Sequence, residues 1–203
     1  MDLSIYGLKP KFQKLLRPIV VALVRGGVSA NLVTMAACTV SVALGVWLYL
    51  VGQSNVALYL LVPVWMMVRM AMNAIDGMMA REFDQQTPLG AYLNELTDVV
   101  SDAALYLPFI TVSPFGWERI CLLIFLAAVS EITGVLGLMV GAPRQYGGPM
   151  GKSDRAFVFG VLGLWLGVAG SLPKWCLTLI DLVNIAILLN IYNRIRSGLA
   201  AVK

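Results

Sequence analysis

Long apolar stretches, separated by short polar breaks, dominate the pattern along the chain. A helix needs about 20 mostly apolar residues to cross about 30 Å of hydrocarbon. Six stretches of roughly this length are present, at residues 32–51, 56–80, 89–112, 117–141, 156–172 and 175–193. Turn-like segments such as GQSN, SPFG and SLPK lie between them. The pattern therefore predicts an all-α integral membrane protein with six transmembrane helices.

The N-terminal segment follows a different pattern, in which basic and apolar residues interleave. Its apolar positions recur at helical spacing: Leu8, Phe12, Leu15, Ile19 and Leu23. Its basic positions lie largely elsewhere around the helix: Lys9, Lys11, Lys14 and Arg17. This favours an amphipathic helix on the cytoplasmic membrane surface, with a merely basic extension as the alternative. No short apolar core precedes a small-residue cleavage site, so a cleavable signal peptide is not expected.

These segments together predict a single membrane domain over residues 1–203. We assign residues 1–28 to the interfacial helix and a linker, and residues 29–196 to a six-helix bundle. Hydrophobic residues make up 59% of the chain, charged residues make up 13%, and the mean hydropathy is +0.82. These values lie well outside the range of soluble domains.

Basic residues predict how the chain lies in the membrane. If the N-terminus is cytoplasmic, twelve Lys and Arg residues fall on that side and only Arg119 and Lys174 on the other. The positive-inside rule then predicts a multi-pass protein of the cytoplasmic (inner) membrane, with both termini in the cytoplasm. Basic loops facing anionic lipid headgroups explain the net charge of +4 without a nucleic-acid partner.

Two neighbouring apolar segments carry polar stripes, which are costly in hydrocarbon unless they face a site or a partner. In the second segment the stripe is spaced i, i+4, i+7: Arg69, Asn73 and Asp76. In the third segment its members lie four residues apart: Gly90, Asn94, Asp98 and Asp102. Because the connection is short, with Pro88 suited to the first turn of a helix, we expect the two helices to be antiparallel neighbours whose carboxylates meet.

Carboxylates crowded in a medium of low dielectric constant repel one another unless a cation lies among them. The chain has no histidine, and its cysteines, interpreted as small core residues, are Cys38, Cys121 and Cys176. Oxygen-only ligands favour a hard ion such as Mg²⁺, Mn²⁺ or Ca²⁺. The alternative is a polar seam between helices, held by Asn side chains and an Arg69–Asp76 pair.

The residues that follow Asp76 favour binding of a phosphate group. Gly77 and Ala80 leave the backbone open to close approach by a ligand or another helix, and Arg81 lies about one turn beyond Asp76, at the level of the headgroups. Small-residue helix packing alone explains Gly77 and Ala80, but it does not explain an arginine beside an ion cluster. A phosphate bridged between a metal ion and a guanidinium explains both.

These residues resemble the signature of the CDP-alcohol phosphatidyltransferase family, which reads DxxDGxxAR, about eight residues, and then GxxxDxxxD. The corresponding stretches here are NAIDGMMAR (73–81) and GAYLNELTD (90–98), with eight residues between them. The spacing matches throughout, and the predicted membrane segments and N-terminal interfacial helix match the family's architecture. The resemblance spans essentially the whole chain, although its specific residues are confined to 73–98.

The resemblance implies a reaction. In this family aspartates hold divalent ions, Mg²⁺ or Mn²⁺, against the diphosphate of a CDP-linked lipid, an acceptor hydroxyl attacks the phosphorus nearer the lipid, and CMP leaves. Asp76 and Asp98 match the second and fourth aspartates, and the fourth is taken as the general base. Asn73 and Asn94 stand where the first and third aspartates are expected. The same pattern implies contacts to the CDP-alcohol from Gly77, Ala80, Arg81 and Gly90.

Two amides in place of carboxylates change the chemistry that the site is expected to support, because an amide offers only a neutral oxygen. Three interpretations remain open. The site binds one metal ion rather than two; it recruits a replacement ligand, Asp102 or else Glu95 or Glu131; or it has lost catalysis and keeps the scaffold. We favour recruitment of Asp102, so an Asp102→Asn variant is expected to lose metal-dependent turnover. Glu131 has a second interpretation, as the partner of Arg69.

Other stretches resemble the family less specifically. GVSANLVT resembles the family's TPNxxT, which implies that Asn31 and Thr34 contact the cytidine diphosphate; the alternative is a plain helix start with Ser29 or Asn31 as N-cap. Thr87 is a further nucleotide contact by family position. The loop GAPRQYGGPMGKSDR brings Arg144, Lys152 and Arg155 near the expected entrance, where they would hold an anionic acceptor or a lipid phosphate. A loop that only follows the positive-inside rule would look similar.

The leading interpretation is a membrane transferase of phospholipid biosynthesis that moves a CDP-activated phosphatidyl group onto a hydroxyl acceptor. The second is a catalytically silent relative that binds lipid or CDP-lipid. A transporter is disfavoured because the chain lacks an evident internal repeat or broken helix pair. The expected partners are a CDP-linked lipid, a hydroxyl acceptor, membrane lipids and, by resemblance, a second copy of the chain in a homodimer.

Overall fold

The computed structural model describes the backbone of residues 5–202 and the side chains of residues 12–202. Within this part the chain forms seven α-helices: α1 (Ile5–Arg25), α2 (Ala30–Val51), α3 (Leu61–Glu82), α4 (Pro88–Tyr106), α5 (Trp117–Leu136), α6 (Lys152–Ala169) and α7 (Cys176–Ala200). Short 3-10 helices precede α3 and follow α4 and α5, at Val56–Leu60, Leu107–Thr111 and Gly137–Val140. The predicted all-α fold class is confirmed.

Each of the six predicted apolar stretches contains one helix, from α2 to α7. Four helical segments are long and apolar enough to cross a membrane: Ala30–Val51, Val56–Glu82, Trp117–Val140 and Cys176–Ala200. The other two helices, α4 and α6, each carry three charged side chains. In α4 and α6 these charges fall within only 19 and 18 residues, so neither helix belongs to the long, apolar group.

Local sequence signals explain where several helices begin. Ser29 caps α2 by accepting a hydrogen bond from the backbone N–H of Leu32 at 3.2 Å. Thr87 caps α4 in the same way through Gly90, and Pro88 occupies the first turn. The alternative function of Ser29 as an N-cap and the predicted position of Pro88 are both confirmed.

Helix α2 lies at the centre of one half of the bundle and packs against both α3 and α4. The approach to α4 is close because Gly45 has no side chain: a Cβ at this position would lie 2.1 Å from the backbone oxygen of Ala104. The predicted neighbours α3 and α4 meet through the side chains of their polar stripes. Long polar side chains, rather than close backbone packing, bridge the space between them.

A layer of buried aromatic residues forms the core around the end of α4 and the middle of α6. Tyr106 stacks on Phe159 with ring centroids 4.0 Å apart, and Phe109 meets Phe159 edge to face at 5.0 Å. Next to this core, four helices each contribute charged residues: Arg69 on α3, Asp98 and Asp102 on α4, Glu131 on α5 and Arg155 on α6. The fold thus gathers charged side chains into one layer next to an apolar core.

Helix α1 packs on α3 through a face that differs from the predicted one. Leu16 and Val20 are buried against α3, whereas Leu15 and Ile19 are 72% and 49% exposed. The predicted apolar face therefore combines residues from two sides of the helix, one against the bundle and one turned away from it. Leu8, Lys9 and Lys11 lie outside the described side chains.

The contact at Gly45 yields a prediction about stability. A Gly45→Ala substitution should destabilise the protein by about 1–3 kcal/mol, because the added methyl forces α2 and α4 apart. Gly160→Ala is the matched control, since a Cβ there would lie 3.7 Å from its nearest neighbour on Pro63. Unfolding in detergent measures both, and equal stabilities of the two variants would contradict the close approach of α2 and α4.

Candidate active site

The carboxylate of Asp76 lies at the junction of α2 and α3. Its Oδ2 accepts a hydrogen bond of 2.7 Å from the hydroxyl of Thr34, which is one turn into α2. The same hydroxyl also donates to the backbone oxygen of Ala30 at 3.1 Å. Asp98 and Lys152 both act electrostatically on Asp76, which places the three side chains in one polar region. Thr34, which the resemblance makes a nucleotide contact, thus lies against Asp76.

Asp98 receives donors from three directions, all on its Oδ1 atom. Arg69 Nη2 and Asn73 Nδ2 each lie 3.2 Å from this oxygen, and the ammonium group of Lys152 forms an ion pair with it. Arg69 also donates to the backbone oxygen of Asp98 at 3.1 Å. Because every one of these side-chain contacts is to Oδ1, Oδ2 is available to a ligand or a proton.

Asp102 faces two guanidinium groups one turn deeper in α4. Arg69 Nη1 lies 2.5 Å from its Oδ1, and Arg155 Nη2 lies 3.4 Å from its Oδ2. The side chain of Asp102 is 5% exposed, so both oxygens are occupied by buried ion pairs. This arrangement disfavours Asp102 as a replacement metal ligand. Buried guanidiniums need a counterion, and the carboxylate serves that purpose here.

The predicted partners of Arg69 are corrected by the same contacts. Arg69 pairs with Asp98 and Asp102, so the alternatives of an Arg69–Asp76 pair and an Arg69–Glu131 pair are both wrong. The seven-residue spacing from Arg69 to Asp76 puts both residues on one face. It does not show that the long arginine side chain extends across the gap toward α4.

Glu131 lies among three arginines instead. Its Oε1 is 2.9 Å from Arg155 Nη2, and its Oε2 is 3.4 Å from Arg194 Nη1 and 3.6 Å from Arg144 Nη2. Sequence reasoning treats Arg194 only as a cytoplasmic flanking charge and so misses it. Its spacing of four residues from Asn190, which is also buried, was a signal that this face of α7 points inward.

The residues predicted to contact an anionic acceptor all pair with carboxylates of the protein itself. Arg155 belongs to the first turn of α6, is fully buried, and pairs with Asp102 and Glu131. Arg144 lies 2.6 Å from Oε2 of Glu95 and stacks over the ring of Tyr146. Lys152 pairs with Asp98. Each of these three cations is therefore already neutralised by a carboxylate.

Three of the predicted nucleotide contacts meet at the start of α4. Asn31 Nδ2 lies 3.4 Å from the hydroxyl oxygen of Thr87, which accepts a hydrogen bond of 2.9 Å from the backbone N–H of Gly90. A Cβ at Gly90 would lie only 2.7 Å from Oδ1 of Asn31. Glycine is therefore needed at this position for Asn31 to lie against the helix start.

A cavity of about 920 Å³ extends from this corner along α4 and α5. Arg81, Thr87, Gly90 and Asn94 line its polar part, and Glu95 and Glu131 contribute two carboxylates. The remaining wall is mostly apolar, with contributions from Val99, Ile132, Val135, Leu136 and Leu138. Asp76 and Asp98 do not line this cavity. Asp98 lies one turn beyond Asn94 along α4.

The glycine and alanine after Asp76 are placed as their sequence suggests. A Cβ at Gly77 would lie 3.2 Å from both terminal nitrogens of Arg81, so Gly77 leaves room for the guanidinium. Ala80 packs partly buried against the cluster that joins α1 and α3. Arg81 is exposed at the cavity, a position suited to a phosphate group.

The donor atoms around Asp76 and Asp98 have the chemistry of a hard-metal site, with carboxylate oxygens and the amide oxygens of Asn73 and Asn94. Within the described residues, no group of three or more Asp, Glu, Cys or His side chains is arranged to hold a metal ion. The two amides account for this, because they replace carboxylates that would complete such a group. The residues present fit a metal ion whose ligands together carry little negative charge.

The fold and the site together define a helical membrane protein with a polar centre of carboxylate, amide and basic side chains beside a mostly apolar cavity. The sequence model of the CDP-alcohol phosphatidyltransferase family matches residues 27–190, which are most of the chain, and the chain therefore belongs to that family. The resemblance predicted from the sequence is confirmed. Membership places the chain among the transferases of phospholipid biosynthesis, whose reaction moves a phosphatidyl group from a CDP-alcohol to a hydroxyl acceptor.

Two curated proteins resemble the chain over nearly its whole length. It is 42% identical over 197 residues to "Inner membrane protein YnbA" of Escherichia coli (strain K12), with 97% of each chain covered. It is 28% identical over 204 residues to an uncharacterized protein of Aquifex aeolicus (strain VF5), with 96% of this chain and 94% of the other covered. The inner membrane relative and the apolar helices identify the chain as a membrane protein.

Two crystal structures of Mycobacterium tuberculosis phosphatidylinositol phosphate synthase (PgsA1) share the fold. The structure with CDP-DAG bound has a TM-score of 0.75 at 20% identity, covering 91% of this chain and 94% of that chain. The complex with manganese and citrate has a TM-score of 0.73 at 19% identity, covering 91% and 88%. At these identities the likeness shows the shared fold.

Proposed function

We propose that this protein transfers a phosphatidyl group from a CDP-linked lipid to a hydroxyl acceptor and releases CMP. The observation that carries the proposal is that Asp98 lies one turn beyond Asn94, which lines a cavity with one polar and one apolar part. A lipid with a charged nucleotide headgroup matches such a cavity in both halves. The CDP-DAG complex of the fold neighbour supports the same donor class.

The residues at the polar end of the cavity fit the donor's headgroup. Asn31 and Thr87 provide polar groups at the start of α4, and Gly90 keeps the surface there open to a nucleotide. Arg81 lies at the cavity, where its guanidinium suits a diphosphate. The apolar wall formed by α4 and α5 would then face the acyl chains.

We propose a single divalent ion, Mg²⁺ or Mn²⁺, for this site. Asp76 and Asp98 would be its carboxylate ligands, and Asn73 and Asn94 would contribute neutral oxygens. Two carboxylates balance the charge of one such ion, and Arg69 and Lys152 already add positive charge at Asp98. When bound, the ion would neutralise negative charge that spreads over the donor's diphosphate. The manganese complex of the fold neighbour supports a divalent metal in this fold.

Asp98 is the proposed general base. Its Oδ1 is held by Arg69, Asn73 and Lys152, which leaves the two lone pairs of Oδ2, one to face the proposed ion and one to take the proton of the acceptor hydroxyl. The acceptor oxygen forms a bond to the phosphorus nearer the lipid, the bond from that phosphorus to the CMP oxygen breaks, and CMP leaves with the electron pair. Lys152 and Arg69 stabilise the charge that develops beside them.

For the placement in the membrane, we propose the arrangement that the sequence predicts. All of helices α2 to α7 cross the membrane, with both termini in the cytoplasm and residues 1–28 forming an interfacial helix and linker beside a bundle of residues 29–196. The exposed Leu15 and Ile19 support membrane contact by α1. A homodimer is proposed on the family resemblance.

A catalytically silent, CDP-lipid-binding protein is the second candidate, and one observation favours it. The amide of Asn73 donates a hydrogen bond to Asp98, and the amide of Asn94 lies 3.4 Å from Oε1 of Glu95. The two asparagines thus satisfy carboxylates of the protein itself. Such a site would bind the donor without the charge arrangement that turnover requires.

Release of CMP from a CDP-linked lipid distinguishes the two candidates. Purified protein in lipid nanodiscs, given labelled CDP-diacylglycerol and a panel of alcohols, should release CMP only when Mg²⁺ or Mn²⁺ is present. Because the proposed site has few charged ligands, we expect half-maximal activation only at millimolar Mg²⁺, on the order of 1 mM or higher.

Binding without release would decide for the silent relative. If the protein binds CDP-diacylglycerol saturably but releases no CMP with any acceptor or metal, the transferase proposal is wrong. An Arg81→Gln variant serves as the control for binding, because it removes the cation proposed to contact the donor's diphosphate.

A further inference from the structure

Three arginines from different parts of the fold converge on one carboxylate. We call Arg144, Arg155 and Arg194 the arginine cluster; they come from the loop before α6, from α6 and from α7. All three approach the carboxylate of Glu131, which is 10% exposed, within 2.9 to 3.6 Å. Convergent guanidiniums of this kind are well suited to a phosphate group. Here a side chain of the protein takes that place.

The charges in this layer balance without a ligand. Its cations are Arg69, Arg144, Lys152, Arg155 and Arg194. Its carboxylates are Asp76, Glu95, Asp98, Asp102 and Glu131. The two groups are equal in number, and the charge of the proposed divalent ion is offset by the donor's diphosphate, so a phosphate monoester that entered beside Glu131 would add uncompensated negative charge in a largely buried region. Removing the charge of Glu131 would leave one cation in excess.

The cluster nevertheless keeps hydrogen-bond donors to spare. The Nε atoms of Arg144, Arg155 and Arg194 are buried, and within the described part of the chain none of them has a hydrogen-bond partner. Buried N–H groups are costly when they make no hydrogen bond. A neutral oxygen, such as that of a hydroxyl group, satisfies such a donor without adding charge.

Glu131 also lies at the wall of the large cavity. It lines the 920 Å³ cavity together with Glu95 and Asn94, and it lines a small cavity of about 10 Å³ together with Asp102 and Arg155. The side chain therefore separates the space proposed for the substrates from the buried ion pairs. A compound that enters the large cavity meets Glu131 before it meets the buried arginine of α6.

From this geometry we infer that Glu131 is a specificity-determining residue, which closes the arginine cluster to phosphorylated acceptors and leaves a site for an uncharged polyhydroxyl acceptor. The inference rests on the proposed transferase function, because it names the acceptor of that reaction. The polyol is either free in solution or carried by a neutral glycolipid, since both present the same hydroxyl groups to the cluster.

Anion binding tests the inference without any turnover. Binding of inorganic phosphate to the full-length purified protein is measured by thermal shift and by isothermal titration. The wild-type protein should show no saturable binding at the cluster, whereas Glu131→Gln should bind phosphate about tenfold more tightly or better, since one buried like charge is gone. Glu82→Gln is the matched control: it makes the same charge change at an exposed pair with Arg17 and should behave as the wild type.

Acceptor choice provides the second measurement. CMP release from CDP-diacylglycerol is compared for glycerol and sorbitol, for their phosphate monoesters, and for vesicles that contain a neutral glycolipid. Release with any uncharged acceptor at a rate at least about tenfold above that with the phosphate esters supports the inference, and the soluble and vesicle arms identify the source of the polyol.

The possible failures are distinguishable. Saturable phosphate binding by the wild type, or faster release with the phosphate esters, overturns the inference while the transferase function stands. If no acceptor gives release, the transferase function fails, and the phosphate measurement alone decides whether Glu131 closes the cluster. If Glu131→Gln does not fold, the wild-type measurements decide, and Glu131→Asp, which keeps the charge, should match the wild type in excluding phosphate.

Discussion

An Asp98→Asn variant is expected to release CMP at least about a hundredfold more slowly than the wild type, because it loses the proposed general base. The amide keeps the size of the side chain, and its oxygen can still accept hydrogen bonds from Arg69 and Asn73. What it cannot do is take a proton from the acceptor hydroxyl. The measurement is the initial rate of CMP release at saturating CDP-lipid and metal.

The control for Asp98→Asn is Asp181→Asn, which changes an exposed carboxylate that pairs with Arg119. This variant should keep wild-type activity. A further comparison separates chemistry from binding: the affinity of Asp98→Asn for CDP-lipid, measured without an acceptor, should change far less than its rate. An Asp98→Asn protein that turns over at the wild-type rate would rule out Asp98 as the base.

An Asp102→Asn variant is expected to lose about 3 kcal/mol in the free energy of unfolding. The substitution removes the counterion that Arg69 and Arg155 share inside the bundle, and a buried guanidinium without its partner is costly. Each arginine keeps a second carboxylate, Asp98 and Glu131 respectively, which places the loss at the lower end for buried pairs. Denaturant unfolding in detergent measures the change.

The sequence-based hypothesis for Asp102 makes a different prediction for the same variant. If Asp102 were a metal ligand, the Mg²⁺ concentration needed for half-maximal activity would rise while the stability stayed close to that of the wild type. Asp181→Asn again provides the comparison, since an exposed pair contributes only about 0–1 kcal/mol. An unchanged free energy of unfolding in Asp102→Asn would contradict its assignment as a structural counterion.

Much of the fold follows from local features of the sequence. The apolar stretches predict the positions of α2 to α7, because a helix that crosses the hydrocarbon needs about 20 mostly apolar residues in a row. Ser29, Thr87 and Pro88 mark helix starts through short-range hydrogen bonds and a fixed backbone angle, which depend on neighbouring residues alone. These features are predictable because no distant part of the chain is needed to produce them.

The face of α1 and the packing of α3 against α4 were not predictable in this way. Two apolar sides of α1 are compatible with its sequence, and only the surface of α3 decides that Leu16 and Val20 are the buried ones. The short connection between α3 and α4 predicts that they are neighbours, but not that both pack closely on α2. The absence of a side chain at Gly45 instead lets α2 approach α4 closely, so that both helices pack on α2.

Residue identity and spacing were enough to recognise the family, the polar stripes and the two amides that distinguish this chain within the pattern. The tertiary structure alone decided which charges meet. Arg69, Arg155 and Arg194 have long, flexible side chains that reach partners on other helices, and sequence spacing carries no record of those distances. For this reason the pairing of Asp102 and the enclosure of Glu131 by arginines emerge only from the folded bundle.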